Sequence, residues 1–160
     1  MKSIGICILV LIFIPFNSLG QDTGANPIEK NIFSGNIMGS SSAIGISYQR
    51  IIANTASIEF GLGLFGVGTG LTIYPRKIQN SKFCFYTGLK LNSAVLVDVG
   101  GGTVAYIPFG ATFISENNIV FGFDVGPARA KWTTSSFGGN NSETSYFYCG
   151  FGNLKIGILF

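Results

Sequence analysis

Apolar and polar positions alternate with period two along most of the chain. Ala56, Ile58, Phe60, Leu62 and Leu64 share one parity, and Ser57, Glu59, Gly61 and Gly63 the other. Phe83, Phe85, Thr87, Leu89 and Leu91 stand against Cys84, Tyr86, Gly88 and Lys90, and Ala105, Ile107, Phe109, Ala111 and Phe113 against Tyr106, Pro108, Gly110 and Thr112. Ile119, Phe121, Phe123 and Val125 oppose Gly122, Asp124 and Gly126, and Leu154, Ile156, Ile158 and Phe160 oppose Asn153, Lys155 and Gly157. Such alternation marks strands, since successive side chains of a strand point to opposite faces. No segment carries a 3.6-residue period, and turn residues recur about every ten positions. The pattern predicts an all-β chain.

The second face decides the architecture. A soluble sandwich or barrel buries its apolar face and covers the other with Lys, Glu and other strongly solvated residues. Here the second face is Gly, Ser, Thr, Tyr, Asn and a few charges. Small residues suit the cramped interior of a small closed barrel, which leaves the apolar face pointing outward at lipid. An open sheet is excluded there, because unpaired backbone groups in hydrocarbon cost several kcal/mol each. The predicted fold is a single closed antiparallel up-and-down transmembrane β-barrel of about eight strands, near 31–38, 43–52, 56–65, 69–75, 83–92, 104–114, 119–129 and 145–160. Short turns at 53–55, 76–82 and 115–118 fall on one side, read as periplasmic. Segments 39–42, 66–68, 93–103 and 130–144 fall on the other, as outer-membrane barrels arrange them. Pro108 interrupts its strand and predicts a local bulge.

Composition agrees. Of 160 residues 47% are hydrophobic and only 11% charged, with mean hydropathy +0.45, against about 25% charged in ordinary domains. The net charge of +3, without a basic cluster, argues against nucleic-acid binding. There is no histidine, which removes His-based hydrolases and His-ligated metal sites. Cys7, Cys84 and Cys149 form no CxxC, and no metal, cofactor or catalytic residue is predicted. Lys2, the apolar stretch 4–16 and Ser18-Leu19-Gly20 have the build of a signal peptide cleaved after residue 20. The expected organisation is a signal peptide at 1–20, a short periplasmic segment at 21–30 and a barrel at 31–160.

Gly61-Leu62-Gly63-Leu64-Phe65-Gly66 matches GxGxxG, but a dinucleotide site needs a helix next and an acidic residue about 20 positions on. Another strand follows, so these glycines are assigned to close packing inside the barrel and a tight turn. By parity the lumen holds Glu59, Lys90, Asp124 and Lys155. Two acids with two bases favour a structural network over acid/base catalysis, and an Asp124–Lys155 pair is expected. Cys84 and Cys149 are read as interior fillers near opposite ends rather than a disulfide. Tyr48, Phe83, Phe113 and Phe160 are placed outward near the periplasmic strand ends, where interfacial aromatics gather. In segment 130–144, Trp132 and Phe137 among Ser, Thr and Asn are candidate surface contacts.

The terminal run Leu154-Lys155-Ile156-Gly157-Ile158-Leu159-Phe160 resembles the assembly signal on the last strand of Gram-negative outer-membrane barrels, carried by Leu154, Ile156, Ile158 and Phe160. In size and pattern the chain is similar to the small eight-stranded OmpA/OmpX-like "outer membrane protein beta-barrel domain" group. That resemblance implies insertion by the barrel assembly machinery and a place in outer-membrane lipid, without implying one activity. The expected protein is a non-enzymatic, monomeric outer-membrane barrel with a side-chain-filled lumen, a structural or surface-interaction role and an unidentified extracellular partner. The alternative is a soluble secreted or periplasmic barrel holding a small hydrophobic ligand.

Overall fold

A computed structural model describes residues 31–41, 43–53, 55–76, 78, 83–96, 100–135 and 142–160. The segments assigned to the signal peptide and the periplasmic lead-in lie outside these residues, as does Phe137. The strands are β1 (Asn31–Met38), β2 (Ile44–Ala53), β3 (Ala56–Gly63), β4 (Gly66–Ile73), β5 (Phe83–Leu96), β6 (Gly100–Tyr106), β7 (Phe109–Ile114), β8 (Ile119–Ser135) and β9 (Ser142–Leu159). Every pairing is antiparallel between neighbours, and β9 returns to β1 and closes the ring. Asn31 and Phe160 seal that seam with reciprocal backbone bonds of 2.9 and 2.8 Å.

β6 and β7 occupy one position of an eight-membered ring, because both lie between β5 and β8. Between the pairs Lys90↔Tyr106 and Thr87↔Phe109 each strand contributes two residues, and the same holds against β8 between Ala128 and Val125. The register therefore continues unbroken through Pro108, and the predicted bulge is absent. Proline removes a donor and the ladder lapses there, but no residue is inserted. Gly126, opposite Pro108, makes room, since a Cβ there would overlap the Ile107 carbonyl, and Ile107 still donates to the Pro127 carbonyl at 3.1 Å.

The stagger follows from the register. Partners lead from Ile32 through Gln49, Glu59, Gly70, Lys90, Tyr106 and Ala128 to Cys149, whereas Ile32 pairs directly with Leu159, ten residues further along β9. A shear of ten over eight strands tilts each strand by about 40° and sets a backbone radius of about 8 Å. Side chains fill a cylinder that narrow.

The strands are longer on one side than the sequence predicts. β5 runs to Leu96, β6 begins at Gly100, β8 runs to Ser135 and β9 begins at Ser142. Much of the expected loops 93–103 and 130–144 is thus a wall of paired strands rising beyond the shorter β1 to β4. Outside Ala94, Val95, Leu96, Ala130 and Trp132 these stretches are mostly Gly, Ser and Thr, so their composition resembled a loop. The β3–β4 turn is Leu64 and Phe65, two residues earlier than the expected 66–68. The β7–β8 turn closes with Ser115 N donating to the Ile119 carbonyl at 2.8 Å, and Asn118 takes a left-handed φ of 61°, which asparagine tolerates.

Candidate functional site: the closed lumen

The interior is layered. At the end that holds Asn31 and Phe160, Ile32, Ile51, Tyr74, Ile78, Cys84, Ile114, Val120 and Leu159 form an apolar layer. Ile78 reaches it from the β4–β5 connection. Above this layer lie the four lumenal charges predicted by parity, all buried: Glu59, Lys90, Asp124 and Lys155.

Lys90 holds the centre. Its Nζ stands 3.0 Å from Asp124 Oδ2 and 3.3 Å from Glu59 Oε2, with no solvent access to any of the three side chains. Asp124 also accepts from Tyr86 at 2.8 Å, Tyr106 at 3.0 Å and Asn153 at 3.2 Å. A carboxylate taken out of water survives when its lone pairs are met in this way. Lys155 is buried with the others but does not pair with Asp124, contrary to expectation. The register explains this: Asp124 faces Asn153, and Lys155 faces Gly122 two residues nearer the terminal end. From there Lys155 Nζ donates to Gln49 Oε1 at 2.7 Å, and Gln49 Nε2 donates onward to Ser57 at 2.6 Å and Tyr74 at 3.0 Å. Both ammonium groups lie over the Tyr86 ring, Lys90 Nζ 6.0 Å and Lys155 Nζ 5.7 Å from its centroid, positions that a ring quadrupole favours.

The opposite end is stoppered by the chain itself. The expected outer loop after β1 is a tight turn, Gly39–Ser41, whose three residues are buried. It folds into the barrel mouth and touches β3, β4, β5 and β9. Ser40 Oγ donates to Glu59 Oε1 at 2.5 Å, and Asn92 donates to the Gly39 carbonyl. Met38 enters the turn with φ 66° and Gly39 with φ 63°. The space comes from β3 and β4. A Cβ at Gly61 or Gly68 would overlap the Ser40 carbonyl, and one at Gly63 the Ser41 carbonyl. The GxGxxG run is thus a recess for this stopper, which accords with the close-packing role assigned to it.

The remaining predicted residues are elsewhere. Leu154, Ile156, Ile158 and Phe160 lie on the outer face of β9, each more than half exposed. Trp132 lies on the inner face of the wall above the stopper. Cys84 and Cys149 are both free thiols, the first buried and the second partly exposed. Sequence reasoning missed Gln49, Tyr86, Tyr106, Ser40 and Asn153 as members of the network. Parity placed both tyrosines inward beside Lys90 and Pro108, so a buried hydroxyl near a buried carboxylate was the available signal. Nothing in the sequence announced the inward fold of 39–41.

The charged groups of the polar layer are met by its own members, while the Asn36 amide and Asn153 Oδ1 are buried without a hydrogen-bond partner, and the layer is shut off at both ends. Among the described residues no group of three or more His, Cys, Asp or Glu is placed to hold a metal ion. No family model, no curated protein and no solved structure matches the chain.

Proposed function

We propose that this protein is a non-enzymatic, membrane-spanning barrel of the outer-membrane type, with a structural or surface-interaction role and no solute path through its lumen. The observation that carries this reading is the separation of charge from the outer wall. Each of the eight ring positions turns an exposed apolar side chain outward: Ile37, Ile46, Leu62, Leu71, Leu89, Phe109, Phe123 and Ile156. Of the ten charged residues among those described, Glu59, Lys90, Asp124 and Lys155 are in the lumen. Arg50, Arg76 and Glu116 lie near the terminal end, and Arg129, Lys131 and Glu143 on the rising wall. The belt between is free of charge. The ten steps from Ile119 to Arg129 climb about 25 Å at a tilt of about 40°, the height of the apolar band of outer-membrane barrels. In water, apolar exposure on this scale would drive association.

The resemblance of the β9 run to the outer-membrane assembly signal supports the same placement, with the ends of β1 and β9 in the periplasm and the wall outside the cell. A soluble barrel with a hydrophobic ligand in its lumen fits less well, because side chains and the inward turn occupy that volume and charges line it. The test is fractionation of cells expressing the full chain, followed by gel mobility with and without heating. The expected outcome is recovery with outer membranes and a heat-dependent mobility shift. Monodisperse protein in plain buffer would overturn the reading.

A further inference from the structure

At the upper border of the apolar belt, the outer face of the wall carries two cations and, among the described residues, no acid. Arg129 and Lys131 are exposed on β8 and continue the outward parity of Phe121, Phe123 and Val125. They stand about 7 Å apart along the strand, and among the described residues neither enters an ion pair. Glu143 is paired with Thr134, which puts it on the inward parity with Trp132 and Phe147. Two tyrosines complete the face. Tyr148 is the cross-strand partner of Arg129 and Tyr146 that of Lys131, and Arg129 Cζ lies 5.2 Å from the Tyr146 ring centroid, so both cationic residues flank one ring. Like charges this close repel, and an anion between them relieves the repulsion.

Below the cations the outer face of β9 is bare. Gly150 and Gly152 hold its next two outward positions, opposite Pro127 and Val125, and a Cβ on Gly150 would meet nothing within 4 Å. This furrow leads down to Phe123 and Leu154, which with Phe121, Ile156 and Ile37 surround a hollow of about 710 Å³ in the outer wall. Gly35 leaves that space open, since a Cβ there would come no nearer than 3.9 Å to a neighbour. From Arg129 to Phe123 is about 20 Å along the strand, or about 15 Å of depth at a tilt of about 40°. That is half of a hydrocarbon core about 30 Å thick, the depth at which the acyl chain of a lipid anchored at the cations ends.

We infer that this face binds one membrane lipid whose headgroup carries a phosphate monoester, with the phosphate between Arg129 and Lys131 and an acyl chain laid along Gly150 and Gly152 into the hollow. The inference rests on the membrane-spanning reading proposed above. Charge selects the headgroup. A phosphate monoester carries roughly two negative charges near neutral pH, which match two unpaired cations, and a guanidinium grips phosphate oxygens as a fork while an ammonium adds a point charge.

The experiment first folds the full chain into vesicles of dioleoylphosphatidylcholine and tracks it by flotation. Native mass spectrometry of the folded protein in zwitterionic micelles then measures binding of dioleoylphosphatidic acid and of dioleoylphosphatidylcholine. One phosphatidic acid is expected to bind at least tenfold tighter than phosphatidylcholine. Arg129→Gln and Lys131→Gln are each expected to weaken it about fivefold, whereas Arg76→Gln, at the other end of the barrel, leaves it unchanged. Gly150→Leu, whose side chain enters open space, is expected to weaken it severalfold with every charge in place. Glycerol 3-phosphate, the same headgroup without chains, is expected not to displace the lipid at tenfold excess. A chain that stays out of neutral vesicles overturns the membrane reading and this inference with it. A chain that enters them but binds the two lipids alike, or loses phosphatidic acid equally in Arg76→Gln, overturns the headgroup site alone. Unchanged binding in Gly150→Leu, or displacement by glycerol 3-phosphate, overturns the acyl-chain seat and with it the assignment to a lipid.

Discussion

The Lys90 ammonium donates to Asp124 Oδ2 at 3.0 Å with both side chains sealed from solvent, and the same ammonium faces Glu59 at 3.3 Å. One cation on β5 thus serves two carboxylates carried by β3 and β8, two strand positions away on either side of the ring. Removing one partner of a buried pair leaves an uncompensated charge, at a cost of about 3–5 kcal/mol. Lys90→Met is therefore expected to destabilise the barrel by that amount, read as a lower urea midpoint for unfolding in micelles. Adding Asp124→Asn is expected to return part of the loss, and a double-mutant cycle over the four proteins measures the coupling. A strictly additive cycle would show that the pair contributes nothing of its own.

Tyr106 tests the neutral donors of the same cluster. Its hydroxyl donates to Asp124 Oδ1 at 3.0 Å from a site only 1% exposed. Tyr106→Phe keeps the ring against Phe151 and removes only this donor, so the expected cost is about 1–3 kcal/mol. Tyr148 is 82% exposed, and Tyr148→Phe is expected to change stability by less than about 0.5 kcal/mol. Equal effects in the two variants would refute the assignment of Tyr106 to the network.

The stopper depends on glycines across the lumen. Gly63→Val places a Cβ onto the Ser41 carbonyl, and the turn Gly39–Ser41 must then leave its seat. Ser40 is fully buried, so in a Cys149→Ala background a Ser40→Cys thiol is expected to resist maleimide. Combined with Gly63→Val, the same thiol is expected to react at least tenfold faster. Unchanged protection would mean that the turn is held by something other than the recess on β3 and β4.

Period-two alternation made the ring readable in advance because it is a local property: each strand carries its own inward and outward lists, and Glu59, Lys90, Asp124 and Lys155 all fell on the inward one. What alternation cannot supply is stagger. Asp124 and Lys155 sit at similar distances from the ends of adjacent strands, yet the register offsets them by two residues, so Asp124 meets Asn153 and Lys155 crosses to Gln49. Pro108 misled for a related reason. A missing donor suggests an inserted residue, whereas Gly126 across the ladder let the chain pass in register. The inward fold of 39–41 depends on absent side chains on β3 and β4, and the close packing read at Gly61 and Gly63 did not say which segment fills the space they leave. The wall escaped notice because stretches such as 100–103 and 133–135 carry Gly, Ser and Thr at both parities and so lack the apolar stripe that marks a strand.

Leu154 distinguishes lipid from water on the outer wall. It is 57% exposed on β9, between Ile37 on β1 and Phe123 on β8, both of them exposed as well. If the belt meets lipid, Leu154→Arg places a charge within the hydrocarbon and is expected to cost about 2–4 kcal/mol near mid-depth. The same change on a water-facing strand would fall within about 0.5 kcal/mol and improve solubility. Refolding equilibria of Leu154→Arg in lipid vesicles provide the measurement, with Arg129→Leu on the same outer face as the reverse control. Arg129 lies above the belt, so its replacement is expected to change stability little. A neutral Leu154→Arg would place the β9 face in water.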